Sequence, residues 1–315
     1  MSSTSPTASA GEGLRAEVIT YEGKERRVQD MDHGDHLCLA FADDGEQRRV
    51  TTAFLSEGLR RGERVMYFAD RTRPEDVLGW LSASGTDPRP ALDAGRLVVT
   101  TADDSYLSAG PFDPDGMVAA LREEVADSLA AGCTGFRVSG EMGWALRDVP
   151  GAGRLHEYET KVNQVFSGHR ASAVCQYDAR RFPADRLDVF QRCHAAVVEC
   201  EPLHSDSTLR LIPTFQQGRR ALRVVGSVDH RNTHNLAAAL DATLAWPGDV
   251  RVDMRELEFI DLAGVRALAR AAARLEDGRR LNVVELAPLL CQVINVVGFE
   301  EATPALVVAA REAAE

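Results

Sequence analysis

Apolar residues in this chain fall into short runs separated by stretches with a different spacing. His36-Leu-Cys-Leu-Ala-Phe41, Arg64-Val-Met-Tyr-Phe-Ala69, Arg96-Leu-Val-Val-Thr100, Gly135-Phe-Arg-Val-Ser139 and Ala171-Ser-Ala-Val-Cys-Gln-Tyr177 are each short and rich in branched or aromatic residues. Such runs predict buried strands. Between them the spacing turns helical: Val50, Phe54, Leu55 and Leu59 share one face across 47–60, and similar stripes cover 117–131 and 154–167. Strands alternating with helices predict a parallel α/β sheet with helices on both faces.

A second unit follows Pro202. Residues 203–218 are polar and turn-rich, with a first strand at 209–212. Strands are then expected at 219–225, 250–254 and 281–285, with helices from Asn232 or Thr233 to Leu244, over 263–275, from Pro288 to Val297 and over 303–314. The expected division is a flexible segment at 1–28, a first domain at 29–203, a linker with a possible first strand at 204–218 and a small α/β domain at 219–315.

Length and composition agree with two soluble domains. The chain has 315 residues, 44% of them hydrophobic, and carries 36 basic against 48 acidic residues. A net charge of −12 with no long basic run argues against nucleic-acid binding. No apolar stretch approaches a membrane span, and the Ser/Thr-rich start lacks the basic and apolar regions of a secretory signal. The expected location is the cytoplasm. Six scattered cysteines without a CxxC pair read as free thiols.

The C-terminal unit contains Val250-Arg-Val-Asp-Met-Arg-Glu-Leu-Glu-Phe-Ile-Asp261-Leu-Ala-Gly264-Val-Arg-Ala-Leu268, which reads as strand, turn and helix. With Val225-Gly-Ser-Val-Asp229 and Gly298-Phe299, this resembles the STAS family of anti-sigma-factor antagonists. The resemblance implies a binding module that docks on a kinase-like anti-sigma factor or assembles with copies of itself. It places the partner face at Asp229, Asp261, Leu262, Ala263 and Gly264. In that family a Ser or Thr usually follows the Asp and takes a phosphate. Here the position is Leu262, and no Ser, Thr or Tyr occurs from Leu244 to Ala302. The module is then either constitutively available or controlled by the first domain.

The first unit carries His36-Leu-Cys38-Leu-Ala-Phe41, Phe54-Leu-Ser-Glu-Gly58-Leu-Arg-Arg-Gly62-Glu, Arg137-Val-Ser-Gly140-Glu141-Met-Gly-Trp144 and Val174-Cys-Gln-Tyr-Asp178. In this order they resemble the MEDS sensory domain. The resemblance implies a small-molecule sensor with a RecA/KaiC-like, mostly parallel sheet. A working P-loop would need glycines, a Lys and a Ser or Thr around the phosphates. After the first strand this chain offers Ala42-Asp-Asp-Gly-Glu-Gln-Arg-Arg49 instead. Three carboxylates stand where phosphate would sit, so no nucleotide hydrolysis, and no enzyme activity of another kind, is expected.

Candidate ligand-binding residues are His36, Cys38, Arg137, Glu141, Trp144, Gln176 and Tyr177. His36 and Cys38 lie two apart on one strand and so face the same way. They could line a ligand pocket, coordinate a metal within His33-x-x-His36-x-Cys38, or fill core; no metal or other cofactor is assigned, since a fourth ligand is missing. Glu141 follows a strand and could pair with Arg137, or either could form a structural salt bridge. Trp144 and Tyr177 offer aromatic faces, and Gln176 a polar contact at a strand end. The expected function is a signalling regulator in which a small molecule of unknown identity controls the STAS-like module. The alternatives are a KaiC-like nucleotide-binding protein or ATPase with a STAS scaffold, and a purely structural STAS assembly protein.

Overall fold

The computed structural model describes residues 24–108, 110–276, 278–297 and 303–311. The first domain is built on seven strands: β1 (Glu25–Arg26), β2 (His36–Phe41), β3 (Arg64–Ala69), β4 (Leu97–Thr101), β5 (Phe136–Glu141), β6 (Ala171–Asp178) and β7 (Ala196–Val198). They run parallel in the order β1-β7-β2-β6-β5-β3-β4. The connecting helices are α1 (Asp44–Arg61), α2 (Pro74–Ala83), α3 (Arg89–Asp93), α4 (Pro114–Ala130), α5 (Leu155–Phe166) and α6 (Ala184–Arg192).

Strand alternation sorts the side chains onto two faces. Leu37, Leu39 and Tyr67 pack with Phe54 and Leu55 of α1 and Val77 of α2. Cys38, Phe68, Val138 and Tyr177 pack on the opposite face with Leu121 of α4, Val162 of α5 and Phe190 of α6. Each fully buried side chain of this size contributes about 1.5–3 kcal/mol, so the two layers fix the register of the sheet. At its start α1 is capped by Asp43, which accepts the Glu46 N–H at 2.9 Å, while the Glu46 carboxylate accepts the Ala42 N–H at 2.8 Å.

The second domain has strands β8 (His204–Ser205), β9 (Leu209–Gln216), β10 (Arg219–Val228), β11 (Val250–Ile260), β12 (Leu281–Leu286) and β13 (Leu306–Ala310), with helices α7 (Thr233–Thr243), α8 (Leu262–Ala273) and α9 (Pro288–Val297). The order is β13-β12-β11-β10-β9-β8. From β10 to β13 neighbours are parallel, and from β8 to β10 antiparallel.

Three expectations need correction. Residues 306–310 form an edge strand rather than part of a helix, because Leu306 and Val308 pair with Leu281 and Val283 and extend the sheet. The Ala-rich sequence suits a helix locally, but sheet pairing and the β-branched Val307 and Val308 decide otherwise. Strand β11 also continues to Ile260, through the stretch read as a loop, along the partner strand β10. Finally, Glu25 and Arg26, within the stretch expected to be flexible, pair with Val197 and Val198 as an edge strand.

The two domains touch through the β9–β10 hairpin. Its two-residue turn has Gln217 at φ 51° and Gly218 at φ 68°, the left-handed pair that tight hairpins require. Phe215 is buried within the aromatic core of the first domain, and Gln191 of α6 donates to its carbonyl at 3.4 Å. Arg220 is ion-paired with Glu46. Arg223 reaches Glu25 at 3.1 Å and Glu199 at 3.2 Å, and Thr214 donates to Glu25 at 2.6 Å.

Candidate functional site

The carboxyl ends of β2, β3, β5 and β6 open into a cleft of about 490 Å³, the position where parallel α/β sheets commonly present ligand groups. Glu141 and Gln176 line it together with Asp70, Asp178, Arg180 and Arg181. Glu141 is already well engaged. One oxygen accepts the Tyr67 hydroxyl at 2.8 Å, and the other accepts the N–H groups of Asp70, Arg71 and Thr72 at 3.2, 2.8 and 3.2 Å. It therefore fixes the loop after β3. Gln176 donates to Ser139 at 2.7 Å and Thr51 at 3.1 Å, and accepts from Gln47 at 3.1 Å. Burial raises the Asp70 carboxyl above its usual range, with Arg147 opposing the shift at 3.2 Å.

The seven candidate ligand residues do not share one pocket. Arg137 lies on the same sheet face as Glu141 but does not pair with it. Its guanidinium is fully buried, donates to Glu63 at 2.5 Å and to the Phe54 carbonyl at 3.2 Å, and lies 4.7 Å above the Phe54 ring. It ties β5 to the end of α1. His36, Cys38, Trp144 and Tyr177 belong to the opposite face. Trp144 is fully buried between Phe112, at 4.6 Å, and Tyr106, at 5.4 Å.

On that opposite face the sheet and two helices converge on a cluster. His36 of β2, Glu159 of α5, Cys175 of β6 and His194 after α6 are all buried, with one donor atom from each lying within 4.8 Å of the others. His36 Nε2 is 3.2 Å from Cys175 Sγ and 3.4 Å from a Glu159 oxygen, and His194 Nε2 is 3.4 Å from the same oxygen. Tyr177 donates to the other Glu159 oxygen at 2.6 Å. Burial pushes the His194 imidazole down to about 3. Burial likewise raises the Cys38 thiol, which lies beside Cys175 in the adjoining strand. His33, the first residue of the spaced His/Cys pattern, is elsewhere and contacts Glu63 at 3.0 Å.

Glu159, Cys175 and His194 are the cluster residues sequence reading missed. A usable signal existed in α5, where Leu155, Tyr158, Glu159, Val162 and Phe166 follow helical spacing and are all buried. A carboxylate inside an apolar stripe needs a partner.

In the second domain, Asp261 caps α8 by accepting the Gly264 N–H at 2.9 Å, and its own N–H bonds to the Val228 carbonyl at 3.1 Å. A side chain at Gly264 would approach Ile260 and Val228 to 2.6 and 2.9 Å, so glycine permits close packing there. Asp229 stands at the neighbouring strand end and holds Arg231 at 2.6 Å. Leu262 and Phe259 flank the cap and are 46% and 50% exposed, leaving apolar surface next to two carboxylates, while Ala263 is half-buried. Gly298 and Phe299 lie outside the described residues.

A family model described as MEthanogen/methylotroph, DcmR Sensory domain (MEDS) matches residues 35–195, just over half of the chain. The chain belongs to the MEDS family. A second model, described as Mlab, STAS domain, matches residues 214–308, so a STAS domain follows the MEDS domain. The transcriptional repressor DcmR of Methylorubrum extorquens is 26% identical over 180 residues, covering 56% of this chain and 64% of the repressor. The chain thus matches less than two thirds of that relative's length. Among solved structures, an anti-sigma factor antagonist from Mycobacterium paratuberculosis is 22% identical with a TM-score of 0.29, covering 33% of this chain and 88% of that one. A KaiC-like protein from Pyrococcus horikoshii OT3 is 10% identical with a TM-score of 0.39, covering 60% and 89%. Among the described residues, no helix is long and apolar enough to cross a membrane.

Proposed function

We propose that this chain is a cytoplasmic signalling regulator in which the MEDS domain senses a small molecule and the STAS domain passes the response to a kinase-like anti-sigma factor. The observation that carries the reading is the seating of the STAS hairpin in the MEDS domain. Phe215 is buried in the MEDS core, and Arg220 pairs with Glu46 at the start of α1. Helix α1 also contributes Asp44 and Gln47 to the cleft. A ligand that shifts the start of α1 therefore acts on the same residues that hold the hairpin. It regulates only if it binds the two arrangements unequally.

The partner face is the exposed apolar surface of Phe259 and Leu262 beside Asp229 and Asp261. Its apolar centre with a charged rim suits a protein partner. Native mass spectrometry of the purified chain identifies any retained small molecule. Binding of a kinase-like anti-sigma factor is then measured with and without that molecule, on the wild type and on Phe259→Ser. An affinity unchanged by both the molecule and the substitution refutes the reading.

The acidic cap of α1 weighs against the ATPase alternative. Asp43 and Glu46 occupy the N–H groups and charge position that a phosphate would use, and Asp44 lines the same cleft. ATP turnover is expected to stay at background. Turnover that survives repurification and is lost in Arg48→Ala/Arg49→Ala would favour the alternative.

A further inference from the structure

We propose that the MEDS domain binds a zinc-type divalent metal ion through His36 Nε2, His194 Nε2, Cys175 Sγ and one carboxylate oxygen of Glu159.

The hydrogen bonds around the cluster fix where the lone pairs point. His194 Nδ1 lies 2.8 Å from the Phe190 carbonyl, which can only accept, so Nδ1 carries the proton. His36 Nδ1 lies 2.9 Å from Asn163 Oδ1. The Asn163 amide is oriented by its NH₂ group, which donates to the carbonyls of Glu159 at 3.0 Å and Cys193 at 2.8 Å. Its oxygen must accept, so His36 Nδ1 is protonated too. Both Nε2 atoms therefore face the cluster as the potential ligand atoms. Outward Nδ1–H bonds of this kind are the usual support of metal-bound histidines.

The interior of the cluster lacks enough hydrogens to satisfy these atoms. Glu159 Oε2 and His194 Nε2 are buried without a hydrogen-bond partner, yet they stand 3.4 Å apart. Two lone-pair donors at that distance, shielded from water, need a proton or a metal ion between them. A proton on His194 Nε2 would serve that edge alone, and one on His36 or Cys175 a different edge, whereas one metal ion serves all four donors.

The spacing and the donor types agree with this occupant. Metal–ligand bonds of about 2.0–2.1 Å to nitrogen or oxygen and about 2.3 Å to sulfur give tetrahedral edges of about 3.3–3.6 Å. Three of the donor pairs are at 3.2, 3.4 and 3.4 Å. Two imidazoles, a thiolate and a carboxylate are a borderline-soft set that suits zinc, and the two anionic ligands neutralise its double charge. All four positions are filled by protein and buried, so the site is closed and holds α5 and the segment after α6 against β2 and β6. Cys38 lies on the neighbouring strand outside this group.

The test uses the full chain. It is expressed with zinc supplementation, dialysed and analysed by elemental mass spectrometry, then stripped under denaturant and refolded with Co²⁺. We expect about one metal per chain, with tetrahedral cobalt absorption and a near-ultraviolet thiolate band. In Cys175→Ser the thiolate band is lost. In His194→Gln and Asn163→Ala the affinity falls at least about tenfold. Cys133→Ser, away from the cluster, leaves everything as in the wild type. Wild-type chain that refolds but stays metal-free in excess Zn²⁺ or Co²⁺ overturns the proposal, as does a thiolate band or affinity unchanged in Cys175→Ser. If the variants fail to fold, the wild-type cobalt spectrum decides alone, and its absence overturns the proposal. None of these outcomes depends on the anti-sigma-factor partner.

Discussion

Replacing Gly218 by alanine tests whether the hairpin is locked onto the MEDS domain. A Cβ there would lie 1.8 Å from the Ala184 carbonyl oxygen and 2.6 Å from its carbon, both backbone atoms at the start of α6. Such a contact cannot be relieved by rotating a side chain, so the hairpin must move. Gly218 also has φ +68°, which adds about 1–2 kcal/mol of backbone strain for alanine. Gly248 supplies the control, because it has φ +70° and nothing within 4 Å of an added Cβ. The strain is common to both variants, and only Gly218→Ala suffers the collision. If withdrawal exposes Phe215, it loses about 1.5–3 kcal/mol of burial, giving a total cost of about 2.5–5 kcal/mol against about 1–2 kcal/mol for Gly248→Ala. Urea melts measure the difference, and hydrogen exchange locates it in 214–222. The reasoning is refuted if the two melts agree within about 0.5 kcal/mol and exchange in the hairpin matches the wild type.

Arg137→Met should destabilise the MEDS domain by about 3–5 kcal/mol by stranding buried Glu63, and Arg137→Met/Glu63→Met should recover most of the loss; urea melts of the two variants check this. Wild-type chain incubated with a cognate anti-sigma-factor kinase should yield no phosphopeptide between 244 and 302, whereas Leu262→Ser should gain a phosphate at the start of α8. Hydrogen bonds from Arg60 and Arg61, opposed by some burial, lower the Glu57 carboxyl from its usual range to about 2. Its contribution is therefore present above about pH 4.5 and lost as pH falls toward about 2, so Glu57→Gln should reduce the drop in melting temperature between about pH 6 and pH 3.

The strands and most helices were legible because each buries a face with its own period. The seven-stranded arrangement needed only that periodicity and the parallel α/β rule. The last strand was not legible, since Leu306–Ala310 is extended only because β12 is there to pair with it. The site was legible in part. His36 and Cys38 were correctly placed on one side of a strand, and Glu141 and Gln176 do meet in one cleft. The same two-residue period explains the limit: Gln176 and Tyr177 are adjacent in sequence, so they face opposite sides of the sheet. Residues gathered from several short motifs were thus divided between a cleft and a buried cluster. Glu159 and His194 stayed hidden because their meeting depends on how α5 and α6 pack, which local spacing does not report.

The geometry of β10 bears on how a STAS domain without the usual hydroxyl could be controlled. One end, Arg219 and Arg220, lies at the MEDS interface through the Arg220–Glu46 pair. The other end, Val228, accepts the N–H of Asp261, the cap of α8. At about 3.3 Å per residue the ten-residue strand spans about 30 Å between them. It is held on both sides, by β9 and by β11, so a shift at the hairpin cannot be absorbed by fraying an edge. Register irregularities between Arg223 and Val225 and between Gly226 and Ser227 interrupt its ladder with β11 along the way. A phosphate on the Leu262→Ser variant would add charge at the helix cap itself. In the wild type the input proposed to replace it arrives along the backbone, at the same cap, from the other end of the strand. Hydrogen exchange at Asp261–Gly264 is therefore the decisive readout in Gly218→Ala: a change there places the coupling in β10, and exchange altered only in the hairpin confines the MEDS domain's effect to its own interface.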